Sequence, residues 1–165
     1  MAAGVAPLKG FDPLVPGAAR VGLEARMKFD CATQSRDQRC RVPAPPALPD
    51  GVAPKALDVL FRDQALAQVQ GLFDEKHHAG MLARLRAALG PPEDRSFRTR
   101  AGMAGTFEAG VHVWSLESAT GNWFVVLEQY AGKIDRSALT WGDEPAMRSL
   151  LERVRRPGRG EARDL

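Results

Sequence analysis

Between residues 110 and 141 apolar and polar side chains alternate with the period of two that marks a pleated strand. Three runs emerge, 110–116, 122–129 and 133–141, with tight turns expected at Thr120-Gly121-Asn122 and Ala131-Gly132-Lys133. In the first run Val111, Val113 and Ser115 share one face, and His112, Trp114 and Leu116 the other. The second run is apolar on both faces from Trp123 to Leu127, which predicts a central strand covered on two sides. One face is expected to pack on a helix over residues 73–89 and the other on the first half of the chain.

That helix follows from a change of period to 3.6, with Phe73, His77, Met81, Leu85 and Ala88 or Leu89 on one stripe. Asp74 is the expected N-cap, and Gly90-Pro91-Pro92 stops the helix. A last helix over 144–156 carries Met147, Leu150, Leu151 and Val154 on one side, with Pro145 in its first turn. Earlier elements are fainter. A strand at 7–11 is followed by a helix over 18–29, whose face would be Val21, Ala25 and Phe29 and which Gly22 weakens. A turn from Cys31 to Cys40 leads to a strand beginning at Cys40-Arg41-Val42, then to a proline-rich loop at 43–54. A strand at 56–61 returns at 65–70, and 91–100 reads as a charged connection. The sum is an α+β fold of helix-plus-antiparallel-sheet units. It divides into an N-terminal half at 1–71, a C-terminal half at 72–156 stacked on it, and a disordered tail at 157–165.

Composition narrows the function classes. A chain of 165 residues, 44% hydrophobic, can bury a sizeable core, and its twelve prolines and sixteen glycines cluster at boundaries. The net charge of +3 is modest and the arginines are scattered, which argues against nucleic acid as a partner. No run approaches the roughly 18 apolar residues that a membrane-spanning helix needs. The opening MAAGVAPLKGF has neither the basic nor the apolar region of a signal peptide, so the chain reads as cytoplasmic or as a mature exported protein. Cys31 and Cys40 lie among charged neighbours, where a disulfide is expected in preference to free thiols or a metal site. Such a bond implies an oxidising compartment.

No catalytic residue, metal site or cofactor can be assigned. His77 and His78 point about 100° apart on a helix and cannot share a metal. His112 lacks a ligand-spaced partner. Ser115, Ser118 and Ser137 have no base nearby in sequence, and no G-x-S-x-G or phosphate-cradling loop occurs. Phe107, Trp114, Trp123, Phe124, Tyr130 and Trp141 concentrate the aromatic content in one region. They read either as core pairs or as one exposed sheet face. In the second case Trp114, Trp123, Tyr130, Lys133, Arg136 and Trp141 form a candidate binding surface.

The segments GFDPLVPGAARVGLEARMKFDC, ALDVLFRDQALAQVQGLFD, MLARLRAALGPP and VHVW…WFVVLEQ…KIDRSALTW, taken together, resemble the layout of small exported bacterial proteins. The pattern, over roughly residues 8–141, is similar to that of SmpA/BamE-like envelope lipoproteins and of the beta-lactamase inhibitor protein family. That resemblance implies two helix-plus-sheet halves, a periplasmic or secreted location, and protein binding without catalysis. The leading expectation is therefore an exported protein that binds a protein or cell-envelope component. A cytoplasmic regulator or nucleic-acid-binding protein is the alternative.

Overall fold

The computed structural model describes residues 11–32, 37–100, 105–118 and 121–156, with the backbone of Arg163–Asp164. The N-terminal elements are α1 (Arg20–Glu24), β1 (Asp30–Cys31), β2 (Asp37–Arg41), a short 3-10 turn (Pro49–Gly51), β3 (Ala56–Arg62) and β4 (Ala65–Asp74). A second 3-10 turn (Glu75–His77) runs into α2 (His78–Leu89). The strands β5 (Glu93–Asp94), β6 (Phe97–Arg100), β7 (Thr106–Ala109), β8 (Val111–Ser118), β9 (Gly121–Glu128) and β10 (Arg136–Asp143) follow, then α3 (Glu144–Arg155) and β11 (Arg163–Asp164).

Eight strands form one antiparallel sheet in the order β1-β2-β3-β4-β10-β9-β8-β5, and β11-β6-β7 form a smaller one. The fold is thus α+β. The strands of the two halves join edge to edge where β4 pairs with β10, from Asp74 opposite Arg136 to Gln68 opposite Gly142. The β3–β4 hairpin closes on Asp63 and Gln64, both with positive φ, as a two-residue turn between right-twisted strands requires.

The two-sided character of β9 is what the apolar run at 123–127 called for. Trp123, Val125 and Leu127 enter the larger core with Phe61, Val69, Phe73, Leu139, Trp141 and, from α2, Met81 and Leu85. Phe124 and Val126 face the opposite way, onto Met147, Leu151 and Val154 of α3. The second cover is therefore the last helix and not the first half of the chain. Asp143 sets that geometry: its carboxylate caps α3 at the Ala146 N–H (3.0 Å) and receives two hydrogen bonds from Arg62.

Several boundaries differ from expectation for local reasons. The first helix is only Arg20–Glu24, and it buries Leu23 while Val21 is 79% exposed. Backbone bonds from Gly17 to Leu66 and from Arg20 to Gln64 fix its start against β4 and the β3–β4 turn, and this orientation turns Leu23 inward. Phe73 belongs to β4, because pairing with Ser137 extends the strand four residues past 70. The helix then begins at His78, so His78, Met81 and Leu85 are buried and His77 is exposed. Asp74 does cap, but it caps the 3-10 turn, through the Lys76 N–H. The proline-rich loop buries Leu48 and Val52 in the larger core, and Pro49 is buried as well. The connection after Pro92 contains β5 and β6. The strand expected at 7–11 and the disordered tail expected at 157–165 lie outside the described residues, apart from Phe11 and the backbone of β11.

Cys31 and Cys40 form a disulfide (S–S 2.02 Å) between directly opposed positions of β1 and β2. Among the described residues no helix is long and apolar enough to cross a membrane.

Candidate functional site

Burial separates the aromatic cluster into two groups. Trp114, Trp123 and Trp141 are 2%, 7% and 1% exposed, so none offers a ring face to solvent. Two of their indole N–H groups are satisfied internally, Trp114 Nε1 donating to Gly90 O (2.9 Å) and Trp141 Nε1 to Leu14 O (2.7 Å). Phe11 packs edge-on against both Trp123 and Trp141. Tyr130, Lys133 and Arg136 instead gather in the β9–β10 turn, with Tyr130 and Arg136 half-buried and Lys133 exposed.

That turn is the candidate site. Tyr130 sits at φ +56°, a left-handed conformation disfavoured for a bulky side chain. Its ring meets Phe107 of β7 edge-on at 5.0 Å. Ile134, 48% exposed, and Val21 at the other end of the chain are the exposed large hydrophobics among the described residues. Arg136 Nε donates to Ala131 O (2.9 Å), and the Ala131 N–H returns a bond to Arg136 O (2.8 Å), so the turn is braced from within. Gly132, at φ +76°, supplies the remaining left-handed residue.

Beneath the turn lies a polar network. Gln129 Nε2 donates to Glu75 Oε1 (2.8 Å), while Gln129 Oε1 accepts from the Gly110 N–H (3.0 Å). The Glu75 N–H donates to Asp135 O (3.0 Å), which ties the 3-10 turn to the loop. Burial, reinforced by the Glu75 carboxylate, raises the Tyr130 phenol above its ordinary pKa. His78 Nδ1 lies 3.0 Å from Ser137 Oγ, and both side chains are buried. Burial and then the neighbouring His112 lower the His78 pKa to about 4, so the ring is neutral at pH 7. His112 is lowered too, by burial foremost, against the opposing pull of Asp94 3.9 Å from its Nε2.

The sequence alone could not bring Ser137 to His78, or His112 to His78, because pairing of distant strands creates both neighbourhoods. The Ser137–His78 pair resembles half of a nucleophilic dyad, but Ser137 is fully buried and has no route to a substrate. Among the described residues no group of three or more His, Cys, Asp or Glu could hold a metal ion.

On the opposite face, Phe124 and Leu151 floor an open groove of about 460 Å³ flanked by Glu144, Arg148, Glu152, Arg155 and Arg156. One of its arginines is already engaged, since Arg155 donates twice to Glu93 at 3.0 Å. The groove reads as a solvated helix flank. No family model, curated protein or solved structure matches this chain.

Proposed function

We propose that the protein is a non-catalytic, exported binding protein that engages a protein or cell-envelope component through the β9–β10 turn. The observation that carries the proposal is Tyr130, a half-buried tyrosine kept in a left-handed conformation with its ring edge-on to Phe107, beside exposed Ile134 and Lys133. Strained backbone of this kind costs about 1–3 kcal/mol and concentrates at ligand-contacting positions. An aromatic and an aliphatic side chain rimmed by Lys133 and Arg136 suit a contact with an apolar centre and a polar edge. The Cys31–Cys40 disulfide supports a periplasmic or secreted location, and the resemblance to small envelope proteins points the same way.

A photo-reactive residue at position 134, introduced in intact cells, tests the site. Cross-linking to one partner is expected, and it should disappear in Tyr130→Ala while an otherwise identical probe at position 21 captures nothing. Equal capture from both positions, or capture unaffected by Tyr130→Ala, would remove the turn as the binding surface.

A further inference from the structure

The Cys31–Cys40 disulfide has a neighbour that a purely structural crosslink does not need. The bond joins β2 to the two-residue strand β1 at the end of the large sheet. Its two sulfurs come from residues of unequal access. Cys31 is partly exposed, whereas Cys40 is 1% exposed and belongs to the larger core. Gln38 and Cys40 share the inward side of β2, and Gln38 stands opposite Phe61 of β3.

Arg20 of α1 lies over that side. Its guanidinium carbon is 5.1 Å from the centre of the Phe61 ring, Nη1 donates to Gln38 Oε1, and Nε donates to Glu24 Oε1 (3.0 Å). The remaining nitrogen, Nη2, reaches Cys31 Sγ at 3.6 Å. A disulfide sulfur is a weak and uncharged acceptor, so this contact adds little to the closed bond. The same contact to a thiolate is charge-assisted and stronger. The guanidinium therefore complements the opened bond better than the closed one. Reactive cysteines occupy such partly exposed positions beside a cation, while buried structural ones are inert.

We propose that Cys31 and Cys40 form a reversible dithiol–disulfide switch, in which Cys31 exchanges with low-molecular-weight thiols and Arg20 balances the charge of its thiolate. In the first step an external thiolate attacks Cys31 Sγ and its electron pair makes the new S–S bond. The Cys31–Cys40 bond breaks with its pair on Cys40 Sγ, which takes a proton from solvent. A second thiolate attacks the outer sulfur of this mixed disulfide and leaves with it as a small disulfide. Cys31 is released as a thiolate beside Arg20, and the two thiols have supplied the two electrons. Modification at this site is stoichiometric, and it does not depend on the binding role of the Tyr130 turn.

The full chain, equilibrated without oxygen in glutathione buffers of graded thiol-to-disulfide ratio and quenched with N-ethylmaleimide, reads the switch by mass. Wild type should open while its tryptophan fluorescence stays that of the folded protein, and the trapped glutathione adduct should map to Cys31. Arg20→Gln should require a buffer about tenfold more reducing, and Arg20→Lys should stay within about threefold of wild type. A guanidinium that only braced the fold would give the opposite sign, because a loosened β1 makes the disulfide easier to open. An Arg20→Gln variant as easy to reduce as wild type, or easier, overturns the proposal. So does an Arg20→Lys variant as hard to reduce as Arg20→Gln, an adduct on Cys40, or opening that occurs only with loss of the folded fluorescence.

Discussion

Gly142 and Gly71 both lie at the seam between β4 and β10, yet they should differ in their tolerance of a methyl group. A Cβ at Gly142 would stand 2.5 Å from the Ala67 carbonyl oxygen and 3.0 Å from Gln68 Cα, which is backbone that cannot move without breaking the pairing. At Gly71 the nearest atoms are the Cδ2 and Cδ1 of Leu48, which can rotate. Gly142→Ala is expected to lower stability by about 2–3 kcal/mol and Gly71→Ala by about 1 kcal/mol, read from urea midpoints at unchanged slope. Tyr130→Gly makes the reverse case. Relief of the left-handed strain and loss of the Phe107 contact oppose each other, so stability should stay within about 1 kcal/mol of wild type. Cross-linking from position 134 should nevertheless be lost. Neither glycine is distinctive in the sequence, because what each faces is set by the fold: Gly142 meets a strand more than seventy residues away, and Gly71 meets Leu48 of the proline-rich loop. The Tyr130 turn was legible as a turn through Gly132, but the side-chain mixture of 129–136 did not reveal that a tyrosine takes the left-handed position.

Elements are held to one another by a few charged contacts whose removal has a calculable sign. Asp143 both caps α3 and pairs with Arg62, so Asp143→Ala should lower stability by about 1–2 kcal/mol, measured by thermal or urea unfolding. Glu93 links β5 to α3. The Arg155 guanidinium foremost, and Arg95 after it, hold its carboxyl below the ordinary value of 4.5. A depressed folded pKa means that the stabilisation is present above the unfolded value and is lost as pH falls through the folded one. Wild type should therefore lose more stability than Glu93→Gln between pH 7 and pH 3. The difference should be under about 1 kcal/mol, because the pair is partly solvated. At this scale the sequence was most informative where a pattern was long. The β8–β9–β10 meander, α2 from its middle onward and α3 followed from periodicity and from Gly90-Pro91-Pro92. The short pieces β1, β5 and β6 could not follow, because a strand of two to four residues has no period and exists only through its partner.

For the whole molecule, the β4–β10 pairing makes one sheet of strands from both ends of the chain, and this bears on how the protein unfolds. All three tryptophans lie between residues 114 and 141, whereas the disulfide lies between β1 and β2. Replacing both cysteines by serine should lower stability by about 2–3 kcal/mol on the chain-entropy estimate for so short a loop. Because the sheet is continuous, tryptophan fluorescence and far-ultraviolet circular dichroism should report that loss at the same urea midpoint. A fluorescence midpoint that stayed in place would mean that the halves unfold separately. The sequence supplied the two sets of strands but not their junction, since β4 and β10 are each plausible edge strands until they are seen side by side. The same junction has a consequence during synthesis. A ribosome that has released β4 must still make α2 and strands β5 to β9 before β10 appears, so for that interval the N-terminal hairpin carries an unpaired edge. The order of translation thus leaves the middle of the finished sheet as the last interface to close, and a chain stalled before residue 136 would expose a ten-residue strand to any neighbour able to pair with it.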